Sequence, residues 1–240
     1  MILDVLPERT GGAAENMAAD FLLLQRYPRG GALRFRHYGW RSPAFTFGYS
    51  QKISFIRSQL QADAGLDLCR RPTGGGLVDH RADWTYALVI PRGHPLEELR
   101  ATQSYRAIHE ALAGALRGAG IPVALKPSAE PEDGPRPAGP AGVCFERAEA
   151  FDVVHAESGA KVAGGAQKRN KRGLLFQGSI WKPAAGGDAV DWDALGEEFV
   201  EGMAARLGAE ASAAPWPEFA EGEEEGLAER YASPEWMELR

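Results

Sequence analysis

The sequence predicts an α+β fold, a mixed and largely antiparallel sheet with flanking helices, on three observations. Its β-like segments come in hairpin-like pairs rather than in strict alternation with helices. The run Trp84 to Ile90 is apolar almost throughout and is bounded by Asp83 and Pro91, which marks a central strand. Two stretches, Glu15 to Arg26 and Leu96 to Leu116, carry apolar residues at three- and four-residue spacing, the period of an amphipathic helix.

In chain order, Met17, Phe21 and Leu24 build the stripe of the first helix. The aromatic-rich runs Leu33–Tyr38 and Ala44–Tyr49 read as a hairpin across Arg41-Ser42-Pro43. A helix over Ile53 to Asp63, closed by Gly65, leads to a strand from Leu66 to Arg71. After the central strand, Leu99, Ala107, Ile108, Ala111, Leu112 and Ala115 form the apolar face of the longest helix, with Gly118 and Gly120 as stops. Val123–Leu125 is a short strand. Residues 127–142 hold five prolines and three glycines, a loop composition. Strands resume at Phe151–Ala156, Ala160–Ala163 and Leu174–Ile180, the first two joined by a turn at Ser158-Gly159. Helical stretches near Trp192–Leu207 and across the acidic end complete the chain.

The chain has 240 residues, 44% of them hydrophobic and 25% charged, with 27 Lys+Arg, 33 Asp+Glu and a net charge of −6. That suits one large globular domain with a small appendage and excludes a disordered or fibrous chain. Pro217 to Arg240 holds eight acids and two arginines, so the first 216 residues carry 25 of each sign. A neutral body lacks the phosphate-neutralising surplus of a general nucleic-acid binder. The longest apolar run is seven residues, too short for a membrane span. The first residues lack a basic secretion-signal region, so a cytoplasmic location is expected. Cys69 and Cys144 are too few for a disulfide scaffold or a zinc cluster, and no metal site is expected. Cys69, in a strand of apolar alternation, reads as a small buried hydrophobe.

Two constellations carry chemistry. In Arg70-Arg71-Pro72-Thr73-Gly74-Gly75-Gly76-Leu77-Val78-Asp79-His80 a strand opens into three glycines, which let backbone approach a ligand, beside arginine forks suited to phosphate or carboxylate. The segment fits neither the phosphate-loop nor the dinucleotide fingerprint, and a plain turn is its alternative. The second runs from Lys161 through Gly164-Gly165-Ala166-Gln167 and the basic cluster Lys168 to Arg172 to Ile180. It directs positive charge toward a phosphate-bearing substrate, or else ends as a solvated hairpin tip.

With the Asn16-Met17-Ala18-x-Asp20 helix, these segments resemble, over about Glu15 to Trp181, the biotin/lipoate A/B protein ligase superfamily, which includes lipoate-protein ligase A and the cysteine-dependent octanoyltransferases. The resemblance implies a catalytic domain over 1–185, a helical C-terminal extension with an acidic tail over 186–240, and the fold of class II aminoacyl-tRNA synthetases and biotin synthetases. It implies that the glycine loop faces the lysine hairpin across an acyl-chain tunnel. Cys144, in Gly142-Val143-Cys144-Phe145-Glu146, resembles the nucleophile of transferases that use the glycine-cleavage H protein. On this reading Cys144 and Lys161 are catalytic. Arg71, Gly74, Gly75, Gly76, His80, Gly164, Gly165 and Ala166 bind substrate.

The implied reaction moves an octanoyl or lipoyl group from an acyl-carrier thioester to the lysine ε-amine of a lipoyl domain. The donor is already activated, so no cofactor is expected. The first alternative is a lipoate-protein ligase using ATP and Mg; the second is a non-catalytic acyl-binding or partner module. The expected partners are acyl carrier protein and lipoyl-domain proteins such as the glycine-cleavage H protein, with no nucleic acid and no membrane. The arginines and lysines of the two segments are expected to form a local basic face toward such acidic partners.

Overall fold

The computed structural model describes residues 1–26, 31–60, 65–128 and 148–239. Cys144, and all of the 127–142 stretch beyond its first two residues, lie outside the described residues. Strands β1 (Ile2–Val5) and β2 (Arg9–Gly11) precede helix α1 (Ala13–Gln25). Then come β3 (Leu33–Trp40), β4 (Ala44–Phe47), α2 (Ile53–Gln59), β5 (Asp67–Arg70), β6 (Leu77–Asp79) and β7 (Asp83–Pro91). Helices α3 (Pro95–Glu98) and α4 (Ala101–Gly118) lead to β8 (Val123–Leu125), β9 (Val153–His155), β10 (Lys161–Asn170) and β11 (Gly173–Trp181). The chain closes with α5 (Trp192–Arg206), β12 (Glu210–Ala213), α6 (Glu223–Ala232) and α7 (Pro234–Met237).

Eight strands of the main sheet run in the order β12-β1-β3-β7-β11-β10-β9-β8, and β2 pairs beside β3 as the ninth. Pairings from β3 through β7, β11, β10 and β9 to β8 are antiparallel, while β12, β1 and β2 pair in parallel. The expected mixed, largely antiparallel sheet is therefore present. β7 lies in its interior. Its Trp84, Tyr86, Leu88 and Ile90 pack under α4 and α5 with Leu112, Phe176 and Phe199, whereas Ala87 and Val89 face α1 with Met17, Leu24 and Leu175. Cover on both faces explains why this strand reads as a nearly continuous apolar run, with Thr85 its one polar member between Trp84 and Ile90. Each large side chain buried there stabilises the fold by roughly 1.5–3 kcal/mol.

Two expectations need correction. The runs around Phe35 and Phe45 are not a hairpin: β3 belongs to the main sheet, while β4 pairs with β5 and β6 in a separate three-stranded sheet. Phe45, Phe47, Ile56 and Leu77 form that sheet's own core, so the aromatics of the two runs serve different interiors. The long helix is broken before Ala101. His94 accepts the Leu96 N–H to start α3, and Arg100 caps α4 with its N–H donated to Gln103. Leu99 sits in the break and is 39% exposed, off the apolar face assigned to it.

The last third of the chain is woven into the body. β12 extends the main sheet beside β1, and α6 lies on α1 through Tyr231 and Leu227. Its acids meet arginines: Glu223 pairs with Arg26, and Glu224 lies 3.7 Å from Arg9. Among the described residues no helix is long and apolar enough to cross a membrane.

Candidate active site

The glycine loop leaves β5 at Arg71 and returns as β6. Gly75 has φ +89°, in the region that favours glycine. A Cβ on Gly48 would overlap the Gly75 carbonyl oxygen, so the end of β4 passes directly beneath the loop only because Gly48 has no side chain. Arg71 shapes the loop from within. Its Nη1 donates to Thr46 O at 2.8 Å and Thr46 Oγ1 at 2.9 Å, and its Nη2 to Gly74 O at 2.8 Å and Gly76 O at 2.9 Å. The fork assigned to a ligand anion is thus turned onto loop acceptors, although Arg71 still borders the cleft described below.

His80 follows β6 and stacks on Trp40 with ring centroids 4.0 Å apart. Its Nε2 lies 2.7 Å from Thr46 Oγ1 and its Nδ1 2.7 Å from Asp83 Oδ2. Asp83 Oδ2 also accepts from Thr85 at 2.7 Å and Ser179 at 2.5 Å. A carboxylate oxygen only accepts, so His80 turns its Nδ1–H to Asp83 and its Nε2 to the Thr46 hydroxyl. Arg71, Thr46, His80 and Asp83 are therefore linked in one chain of hydrogen bonds.

The opposite wall is β10. Lys161 Nζ lies 2.8 Å from Asp152 Oδ2, with side chains 8% and 1% exposed. Asp152 Oδ2 also accepts the Glu149 N–H at 2.7 Å, and Asp152 accepts from the Tyr105 hydroxyl. That hydroxyl in turn accepts the Gly165 N–H at 2.9 Å. Burial and the Asp152 charge push the Tyr105 phenol well above its ordinary range, so it stays a donor. A Cβ on Gly164 would come within 2.7 Å of Lys161 Cε and Nζ, which makes Gly164 the space in which the lysine lies. Beneath this group, His109 Nδ1 lies 2.7 Å from Phe151 O, and burial pushes the imidazole pKa down to about 4. Phe151 has φ +68°, a strained value for a bulky residue, immediately before Asp152.

Helix α1 supplies the back of the site. Asn16 and Asp20 are one turn apart: Arg36 donates to Asn16 Oδ1 at 2.9 Å and pairs with Asp20 Oδ1 at 3.0 Å. Asp20 Oδ2 accepts from Gln177 at 2.7 Å, and Thr73 donates to Gln177 Oε1 at 2.6 Å. Burial pushes the Asp20 carboxyl up while the Arg36 charge opposes that shift. The Asn-x-x-x-Asp pattern thus joins the glycine loop to β11 through a buried network.

These elements border a narrow cleft. Arg71, Gly75, His80, Lys161, Gly164, Gly165 and Ala166 all border it, with Met17, Tyr38, Val78 and Gln177 between them. A Cβ on Gly75 would lie 3.7 Å from that of Ala166, so loop and hairpin face each other. Gly74 and Gly76 support the cleft through Arg71.

Residues 12–181 match the family model described as the lipoyl protein ligase A/B catalytic domain. The chain belongs to that family. This lipoyl protein ligase A/B catalytic domain is 34% identical over 170 residues to Octanoyltransferase LipM of Anoxybacillus flavithermus, covering 70% of the chain and 60% of the relative. It is 36% identical over 179 residues to Octanoyltransferase LipM of Symbiobacterium thermophilum, covering 69% and 60%. The chain therefore spans about 60% of the length of these relatives. A putative lipoate protein ligase from T. acidophilum, solved with bound lipoic acid, superposes with a TM-score of 0.74 at 20% identity, covering 100% of both chains. That likeness shows the fold.

In this lipoyl protein ligase A/B domain the proposed nucleophile, Cys144, lies outside the described residues. Cys69 is buried, and burial pushes its thiol up to about 12, in keeping with an inert core residue. The expected basic face does not form. Arg70 and Arg71 are buried, Lys168 lies over Tyr49 at 5.2 Å, Arg169 donates to Ser104 at 2.7 Å, and only Lys171 and Arg172 are exposed, at the β10–β11 turn. Alternation along β10 sends Lys168 and Arg169 to opposite faces. The turn begins seven residues beyond Gly164, about 23 Å along the strand. Sequence reasoning missed Asp152, Tyr105 and Thr46. Asp152 and Lys161 flank the Ser158-Gly159 turn, a spacing that brings them together once the hairpin is recognised.

Proposed function

We propose that this domain transfers an octanoyl or lipoyl group from an acyl-carrier thioester to the lysine ε-amine of a lipoyl domain. The observation that carries the reading is Lys161, held by Asp152 in the wall of a cleft closed on its other side by the glycine loop. The relatives named octanoyltransferase point the same way. An archaeal fold neighbour is described as a bipartite lipoate protein ligase and its E2 lipoyl domain, which supports a partner of that kind.

Cys144, as the thiolate, attacks the donor carbonyl and expels the carrier thiolate, which takes its proton from the Lys161 ammonium. The acceptor amine then attacks the Cys144 thioester, its proton passes to Lys161, and the thiolate leaves. A free thiol has a pKa of about 8.5, so a fixed cation is needed to favour the anion at neutral pH. Asp152 holds the Lys161 side chain in place, 2.8 Å away, throughout this cycle. The glycine loop, Gly164 to Ala166 and Met17 pack along the acyl chain. Acyl transfer between thiols needs no nucleotide. Among the described lining residues the cations Arg71 and Lys161 are both committed to internal partners, which suits a triphosphate poorly. No group of three or more His, Cys, Asp or Glu poised for a metal occurs among the described residues. Acyl carrier protein as donor and the glycine-cleavage H protein as acceptor fit this scheme.

The test is incubation with octanoyl-loaded acyl carrier protein and a lipoyl domain, without ATP. Octanoylation of the acceptor lysine, read by mass, is expected. Acylation that requires free lipoate and ATP supports a ligase instead, and acyl binding without transfer supports a binding module.

A further inference from the structure

We propose that α7, outside the family-matched stretch, positions the glycine loop through Arg70. This inference rests on the glycine loop being the acyl-binding wall. Arg70 has no solvent exposure and, unlike Arg71, does not border the cleft. Its Nε donates to Trp236 O at 3.0 Å and its Nη2 to Met237 O at 2.7 Å, both in α7. Its Nη1 donates to Tyr49 O at 2.6 Å and Gln51 O at 2.7 Å, in the turn after β4. Trp236 returns a bond, Nε1 to Arg70 O at 2.9 Å, and stacks on Tyr231 with centroids 4.5 Å apart.

The turn that Arg70 grips carries the loop. Gly48 passes beneath Gly75, and the Tyr49 N–H donates to Thr73 O at 2.8 Å. The Arg71 N–H donates to Phe47 O at 2.8 Å, so the next residue starts the loop from the same strand. One planar guanidinium thus holds four carbonyls, two from each side, a geometry an ammonium cannot reproduce. Without the α7 carbonyls, buried donors lose their acceptors, and the turn under the glycine loop loses its fixed point. The C-terminal segment is therefore part of the site's scaffold, and Arg70 is a positioning residue.

The test uses the full chain with Trp236→Ala, Trp236→Phe and Arg70→Lys, comparing amide exchange at Gly74 to Gly76 with KM and kcat for octanoyl transfer. Trp236→Ala is expected to speed loop exchange about tenfold while the amides of β7 stay protected, and to raise KM more than it lowers kcat. Trp236→Phe, which keeps the ring stack, restores part of both. Should Arg70→Lys fail to fold, Trp236→Ala alone decides. A folded Trp236→Ala variant with wild-type loop exchange and KM overturns the proposal. Absence of transfer by the wild-type chain counts against the acyltransferase reading, and the exchange measurement still decides the positioning role.

Discussion

The two walls of the cleft use cations in opposite ways. On the glycine-loop wall, Arg71 spends its hydrogen bonds on Thr46, Gly74 and Gly76 and so builds the wall. On the β10 wall, Lys161 is held by a single carboxylate, Asp152, and its ammonium borders the cavity. The contrast teaches that a positive residue in a motif marks a ligand contact only when the backbone around it is already satisfied. Three glycines in a row leave carbonyls to be gathered, and a guanidinium gathers them; a strand supplies its own backbone partners and leaves its lysine to a side-chain partner at the cleft.

Breaking the lysine wall has the largest expected effect. Lys161→Ala leaves Asp152 buried without its cation, which costs about 3–5 kcal/mol, and transfer falls by roughly 10²–10⁴-fold. Adding Asp152→Asn is expected to recover much of the stability in denaturant melts and none of the activity. Recovery of activity as well would move the chemistry off Lys161.

Acid attacks the same wall. The unfolded chain protonates His109 near the ordinary value of about 6.5, whereas the folded protein does so only near 4. Unfolded chains therefore bind more protons between those values, and stability falls as pH drops from about 6.5 to 4, by up to about 3 kcal/mol. His109→Gln is expected to flatten this part of the stability–pH curve; an unchanged slope would assign acid sensitivity elsewhere.

The loop wall is expected to give way more gently. Arg71→Lys removes the fork but keeps the charge, costing about 1–3 kcal/mol, with KM for the acyl donor rising more than kcat falls. Smallest of all is the hairpin tip. Lys171→Ser with Arg172→Ser is expected to change stability by no more than about 0.5 kcal/mol and to leave transfer unchanged. A large loss there would restore the basic face that the structure dissolves.

Much of this organisation is legible in local pattern. The stripe of Met17 and Leu24 marks α1, the apolar run of β7 marks the sheet interior, and Ser158-Gly159 marks the β9–β10 turn, where Gly159 has φ +70°. What escapes is what long-range pairing decides. Nothing local shows that Phe35 and Phe45 serve different sheets, or that Tyr105 on α4 reaches Asp152 across 47 positions. The cleft residues that sequence reasoning names, Gly75, His80, Lys161 and Gly164 to Ala166, do meet. Their supports, Thr46, Asp83, Asp152 and Gln177, are single polar residues inside strand-like or turn-like stretches, and only the folded neighbourhood distinguishes them from surface positions.

The central claim is that a lysine fixed by Asp152 serves acyl transfer through a thiolate. Its most direct test is the mass of the protein after a brief incubation with octanoyl-loaded acyl carrier protein in the absence of ATP, for the wild type and Lys161→Ala. One hydroxylamine-labile octanoyl group on Cys144 is predicted, forming at least about 100-fold more slowly in Lys161→Ala. No acyl adduct on the wild type, or equal rates in the two proteins, would contradict the account.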